Sequence, residues 1–184
     1  MASNEPVKAL KLGPDHPRWI DVLRDGTKVG IRPVTKLDAA AERAFIESLS
    51  PEARRSRFLG QLSHPTGALI TQFTDIDYNH DVAFAAVVPD GEKEKFIGVS
   101  RYSTNADGSS CECAVTVLDD WHQKGLGSAL MKHLIEVARA RGIRYMFSID
   151  AAANADMADL AKYLGFTRRI DPGDPTDAIH SLWL

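Results

Sequence analysis

Cysteine is scarce in this chain of 184 residues, occurring only at Cys111 and Cys113. Alternate side chains of an extended segment share a face, so the two thiols are neighbours but poorly placed to bridge, and reduced thiols are expected. A lone C-x-C with no second Cys/His pair at suitable spacing falls short of the ligands zinc requires, so no metal is expected. Charge of one sign is also lacking. Lys and Arg number 22 against 25 Asp and Glu, a net charge of −3, without the basic excess of a nucleic-acid surface. No run approaches the roughly 18 to 20 apolar residues of a membrane span, and MASNEPVKALKLGPDHP lacks the apolar stretch of a signal peptide. A cytoplasmic protein is the expectation, with neither nucleic acid nor membrane as partner and its oligomeric state left open.

What is present reads as one globular domain. Residues 1–17 carry three prolines and little apolar periodicity, and are expected to form an irregular arm ahead of a single domain over 18–184. WIDVLRDGTKVGIRPV sets β-formers on both sides of Asp25-Gly26, a dipeptide suited to a type I′ hairpin. Asp38 then precedes AAAERAFIES, whose Ala41, Phe45, Ile46 and Leu49 follow helical spacing, and Ser50-Pro51-Glu52 reads as the cap and first turn of another short helix. A helix near 66–73 follows. Strands at 82–89, 95–102 and 110–118 form an antiparallel meander. GLGSALMKHLIEVARARG repeats apolar residues at three and four positions and stops at Gly142, the clearest helix of the chain. A strand at 143–150, a helix at 154–163, and strands at FTRRI and IHSLWL complete a mixed α/β sheet with no internal repeat.

The chemistry concentrates in ECAVTVLDDWHQKGLGSALM, where a strand passes through a loop with Gly125 and Gly127 into that helix. The first amides of a helix have no internal partner and sit at the positive end of the macrodipole. Amides of Gln123, Lys124, Gly125, Leu126, Gly127 and Ser128 are therefore candidates to hold a diphosphate. An ordinary loop-to-helix turn also uses glycine and stays open as the alternative. The pattern is not a P-loop, since no G-K-[ST] follows. Nor is it a dinucleotide fingerprint, because Leu130 occupies the third glycine position.

Strand, DDWHQKGLGSALM, helix, strand, Asn154 and YLGF resemble the cofactor motifs of GCN5-related N-acetyltransferases (GNAT) over roughly residues 28–184. IRPV, SPEARRSRF, DIDYNHDVAFAA, GVSRY, ECAVTVLDDW and Asn154 to Met157 are similar to the acetyltransferase domain of bacterial Pat-type protein-lysine acetyltransferases. The resemblance implies a GNAT fold: a mostly antiparallel sheet splayed between its fourth and fifth strands, with helices on both faces. It implies acetyl-CoA as co-substrate, backbone hydrogen bonds from Val115, Thr116 and Val117 to pantetheine, and a cofactor contact from Asn154. His122 stands where the family pattern has Gln or Arg, with Gln123 one place late. Ala161 stands where many members have a tyrosine that protonates the departing thiolate, and Tyr163 is about 200° further round the helix.

Attack by a lysine amine requires loss of a proton at neutral pH, because its pKa is near 10.4. Glu112 lies in an otherwise apolar strand, where burial raises a carboxyl pKa toward the range of a general base; the other reading is a solvent-facing glutamate. By resemblance the matching glutamate is the base, and an amide near Val117 holds the oxyanion. His80 with Cys111 or Cys113 is a remote Cys-His candidate. Arg54, Arg55 and Arg57 read as a solvated helix face, and His133 as a satisfied, partly buried histidine. The expected function is transfer of acetyl from acetyl-CoA to an amine, first a protein lysine. The alternatives are a small-molecule amine acceptor and a non-catalytic CoA-binding sensor.

Overall fold

The computed structural model describes residues 16, 18–58 and 64–184, so the expected arm lies, His16 apart, outside the described residues. Strands β1 (Trp19–Val22) and β2 (Lys28–Pro33) form the opening hairpin. Its turn differs from the expectation. A type I′ turn needs positive φ at both central residues, but here Gly26 alone is left-handed, at φ +85°, while Asp25 accepts the Thr27 amide at 3.0 Å through Oδ1.

A 3-10 turn over Lys36–Asp38 precedes α1 (Ala39–Ser48). The Asp38 side chain makes no cap bond to α1. It takes the Arg32 fork at 2.9 and 3.0 Å and the Thr35 amide at 2.7 Å. Two further helices, α2 (Pro51–Phe58) and α3 (Gly67–Thr74), follow. The meander is β3 (Asp81–Asp90), β4 (Lys93–Thr104) and β5 (Ser110–Val117), and residues 82–87 of β3 are all buried. Helix α4 (Leu126–Ala140), β6 (Tyr145–Ala151), α5 (Ala155–Tyr163), β7 (Thr167–Ile170) and β8 (Asp177–Trp183) complete the chain.

The eight strands lie in the order β1-β2-β3-β4-β5-β6-β8-β7, antiparallel throughout except for β5 with β6. The strand α4 crosses offers no side chain at Gly98: a Cβ there would meet Leu130 Cδ1 at 2.9 Å. Leu126, Leu130, Leu134, Val137 and Ala138 bury the apolar stripe of α4 on this side of the sheet. The opposite side is covered by α1 on β4 and by α2 on β5 and β6. Beneath α1, Arg101 of β4 pairs with Glu42 at 3.1 Å, whose side chain is 2% exposed.

Candidate active site

Strands β5 and β6 stay paired for three registers only: Ser110 with Tyr145, Cys111 with Met146 and Glu112 with Phe147. Beyond Glu112 they part, opening a V that widens toward the starts of α4 and α5. Backbone polarity along β5 follows from its ends. Leu118 donates to Ile97 beside β4, while Arg144, leading into β6, donates to the carbonyl of Ser109. Successive residues of a strand alternate sides, so Thr116 and Ala114 point at β4, Cys113 closes the last register on β6 with its amide, and Val115 and Val117 turn amide and carbonyl into the V. Of the three residues expected to pair with a ligand backbone, Val115 and Val117 present open groups and Thr116 does not. Its side chain lies on the other face, near Glu42 and Arg101.

At the mouth of the V, the loop into α4 is built for close approach. Gln123 has φ +58° and Gly125 φ +87°, and the left-handed region suits Gly125 because it lacks a Cβ. The amides of Leu126, Gly127 and Ser128 begin α4 and lack a carbonyl four residues back within the helix; the first such bond runs from Ala129 to Gly125 at 3.0 Å. Gly127 packs closely on α5: a Cβ there would lie 3.3 Å from Leu160 Cδ2. The opening hairpin anchors the loop, a link sequence reasoning missed. Arg24 donates its amide to Lys124 O at 3.0 Å, Lys124 Nζ lies 3.2 Å from Asp25, and it also lies 5.0 Å from the Trp121 ring centroid. No local signal links Asp25 to a loop a hundred residues away.

His122 reaches across the V. Its Nε2 lies 2.9 Å from Val117 O, where the ring can donate only as that tautomer or as imidazolium, and Nδ1 lies 3.5 Å from Asp156 of α5. Asn154 caps α5: its Oδ1 accepts the Met157 amide at 3.1 Å, and its side-chain NH2 is not used by that bond.

Glu112 is exposed, not buried as its apolar neighbours in sequence suggested. Cys111, Cys113, Val115 and Val117 share the α4 face; Glu112 projects from the other, next to α2. Two further expectations change. An oxyanion donor near Val117 lies five residues from Glu112, roughly 16 Å along the strand, whereas Val115 carries the first β5 amide beyond the paired registers. Arg57 does not belong to a solvated face: its guanidinium lies over the rings of Phe58 and Phe73.

Both cysteines are buried and unbridged. Burial pushes the Cys111 thiol up to about 12 and Cys113 well above its ordinary value, and His80 pairs instead with Asp77 at 3.2 Å. A Cys-His nucleophile is not assembled. Ala161 is buried, and exposed Tyr163 accepts from Lys132 at 3.3 Å, away from the V. His133 stacks on Trp19 and lies 3.0 Å from Asp21. Among the described residues, no group of three or more His, Cys, Asp or Glu is suited to a metal ion, and no helix is long and apolar enough to cross a membrane.

The profile described as the Acetyltransferase (GNAT) family matches residues 52–166, from α2 through the V to the end of α5. The chain belongs to this family. An acetyltransferase of Pseudomonas aeruginosa is 46% identical over 170 residues, covering 92% of this chain and 90% of that protein. The GNAT domain of S. lividans PAT superposes with a TM-score of 0.84 at 29% identity, over 94% of this chain and 100% of that domain. A cAMP-binding acyltransferase of Mycobacterium smegmatis shares the fold, with a TM-score of 0.60 at 24% identity; this chain spans 47% of its length. The protein is thus a GNAT N-acetyltransferase with acetyl-CoA as co-substrate. Its sheet is the mixed, mostly antiparallel one expected, and the parting strands are β5 and β6, the fourth and fifth when β1 is left out of the count.

Proposed function

We propose that this acetyltransferase acetylates lysine amines of proteins by direct transfer, with Glu112 as general base. The observation that carries this reading is the position of Glu112 at the last paired register before β5 and β6 separate, its carboxylate exposed on the α2 side. The acetyl-CoA diphosphate lies on the amides of Gln123 to Ser128, and pantetheine runs along Val115 and Val117 toward the apex. The thioester then reaches Glu112, and the cofactor and the amine come from opposite faces of the sheet. Glu112 removes a proton from the ammonium, directly or through water. The neutral amine attacks the carbonyl carbon, and the Val115 amide, the first of β5 beyond the paired registers, stabilises the tetrahedral oxyanion. Collapse breaks the C–S bond, and the thiolate takes its proton from solvent, since Ala161 has none to give.

Support for a macromolecular acceptor comes from two sides. The Pat-like motifs run through α2, β3, β4 and β5, and the S. lividans PAT domain is similar over nearly the whole chain. The carboxylate is also exposed beside α2, where an amine on a bulky carrier can approach.

Incubation with acetyl-CoA and a cell extract, followed by mass spectrometry, is expected to show acetyl-lysine on intact proteins. Acetylation confined to free small amines would refute the protein acceptor. Glu112→Gln is expected to lower kcat roughly 10²- to 10⁴-fold, as loss of a general base does, with the Kd for acetyl-CoA little changed. Unaltered turnover would remove Glu112 from the mechanism.

A further inference from the structure

Arg57 ends α2 above the two strands that part, on the same side of the sheet as the Glu112 carboxylate. Its guanidinium carbon lies 5.2 Å from the ring centroid of Phe58 and 5.5 Å from that of Phe73, and the two rings are 6.0 Å apart and nearly parallel. The arginines around it have carboxylates: Arg55 has Glu52 at 3.3 Å and Arg101 has Glu42 at 3.1 Å. Arg57 makes no ion pair or hydrogen bond among the described residues. It is nonetheless half-buried. Burial first, then the charge of Arg101, pushes its pKa down to about 10 against the opposing carboxylates of Glu42, Asp150 and Glu112.

A guanidinium taken this far from water without an anion is costly. Aromatic faces compensate its flat surface, and its N–H edge, which no protein acceptor engages, is left to solvent. An anion arriving from outside completes the arrangement. That anion is not the diphosphate, because the α4 amides lie on the opposite face of the sheet. Nor does it enter the small void lined by Glu42, Arg57, Phe73, Arg101 and Thr116. That space is about 10 Å³, room for roughly one water, so the anion meets Arg57 at the outer rim beside Glu112. A planar fork matches the two oxygens of a carboxylate.

We propose that Arg57 recognises a carboxylate on the acceptor, so that the enzyme prefers amines flanked by one. The inference rests on the reading of Glu112 as base, which fixes the face from which the acceptor comes. Two sources share this chemistry: an acidic residue beside the lysine, or the terminal carboxylate of a C-terminal lysine.

The test uses the full chain and two peptide pairs, Lys-Asp against Lys-Asn, and C-terminal lysine as free acid against amide. Wild type is expected to favour the carboxylate member of at least one pair by roughly ten- to hundredfold in kcat/KM, the scale of a charge-assisted hydrogen bond. The responding pair identifies the source. Arg57→Gln is expected to bring that ratio close to one, and Arg57→Lys, which keeps charge but loses the fork, to leave an intermediate ratio.

Wild-type ratios near one in both pairs, a measurement that needs no variant to fold, would overturn the proposal. So would a preference that survives in Arg57→Gln, or an equal loss on every acceptor with a shifted pH profile, which would mean that Arg57 acts on Glu112 instead. If no peptide is acetylated, the protein-lysine reading fails on its own. Calorimetry with the same peptides and CoA then decides for Arg57: carboxylate-dependent binding lost in Arg57→Gln supports it, and binding indifferent to the carboxylate overturns it.

Discussion

His122 and Val117 show how one side chain bears on the cofactor. The ring engages the Val117 carbonyl, which is proposed to pair with pantetheine, so on that reading binding exchanges one hydrogen bond for another. A net hydrogen bond is worth about 0.5–1.5 kcal/mol, and His122→Ala is therefore expected to tighten acetyl-CoA binding by up to about tenfold in calorimetry. Weaker binding would assign the ring to the cofactor site as a direct contact. At the same scale, Cys111 and Cys113 are buried with raised pKa values, which keeps them from thiolate chemistry. A thiol reagent at pH 8 is expected to find no reactive cysteine in the folded protein and both after denaturation. The two-residue period correctly put these thiols on one side of β5. It could not tell which side a helix covers, so a buried and a solvent-facing Glu112 both stayed open: α4 lies under the cysteines, and Glu112 is exposed on the α2 side.

Among the elements, α4 was legible in full, because its apolar spacing, Gly125 and Gly142 agree on where it starts and stops. The start carries a further test. Gly125→Ala places a Cβ 3.6 Å from Arg24, an ordinary contact, so its penalty is the left-handed backbone and not a clash. Destabilisation of about 1–2 kcal/mol is expected in urea unfolding, together with weaker acetyl-CoA binding as the amides shift. Destabilisation without any change in binding would separate the loop from the cofactor. The opening hairpin was legible as an element but not as a turn. Asp25-Gly26 suits a type I′ turn locally, whereas the chain here uses a longer loop with one left-handed glycine and spends Asp25 on Thr27 and Lys124. Such tertiary contacts override the local preference of a dipeptide.

Across the whole molecule, the parting of β5 and β6 decides where chemistry happens, and no periodicity encodes it. Both strands read as ordinary β segments, and family resemblance alone announced the gap. Long-range charge pairs were equally invisible. Glu42 and Arg101 meet beneath α1 across 59 positions of sequence. Arg101→Met leaves a buried carboxylate without its cation and is expected to cost about 3–5 kcal/mol in urea unfolding; a loss under about 1 kcal/mol would show that the pair is hydrated.

Asp77 makes stability depend on acid. Desolvation raises its pKa, but amides of Asp81, Asn79 and His80 and the His80 ring outweigh it and hold the carboxyl at about 2. That lies below the unfolded value of about 3.9, so its contribution is complete above the unfolded value and disappears as pH falls toward 2. Wild type is expected to exceed Asp77→Asn in stability at pH 6, with the gap closing toward pH 2. A gap independent of pH would remove the charge from the explanation.

The central claim is that acetyl-CoA lies along the inner edge of β5 and on the first amides of α4. Residue-resolved hydrogen exchange tests it directly. Addition of acetyl-CoA is predicted to slow exchange at the amides of Val115, Val117, Leu126, Gly127 and Ser128. Thr116, already paired with β4, should change little. Unchanged exchange at Val115 and Val117 with acetyl-CoA bound would contradict the account.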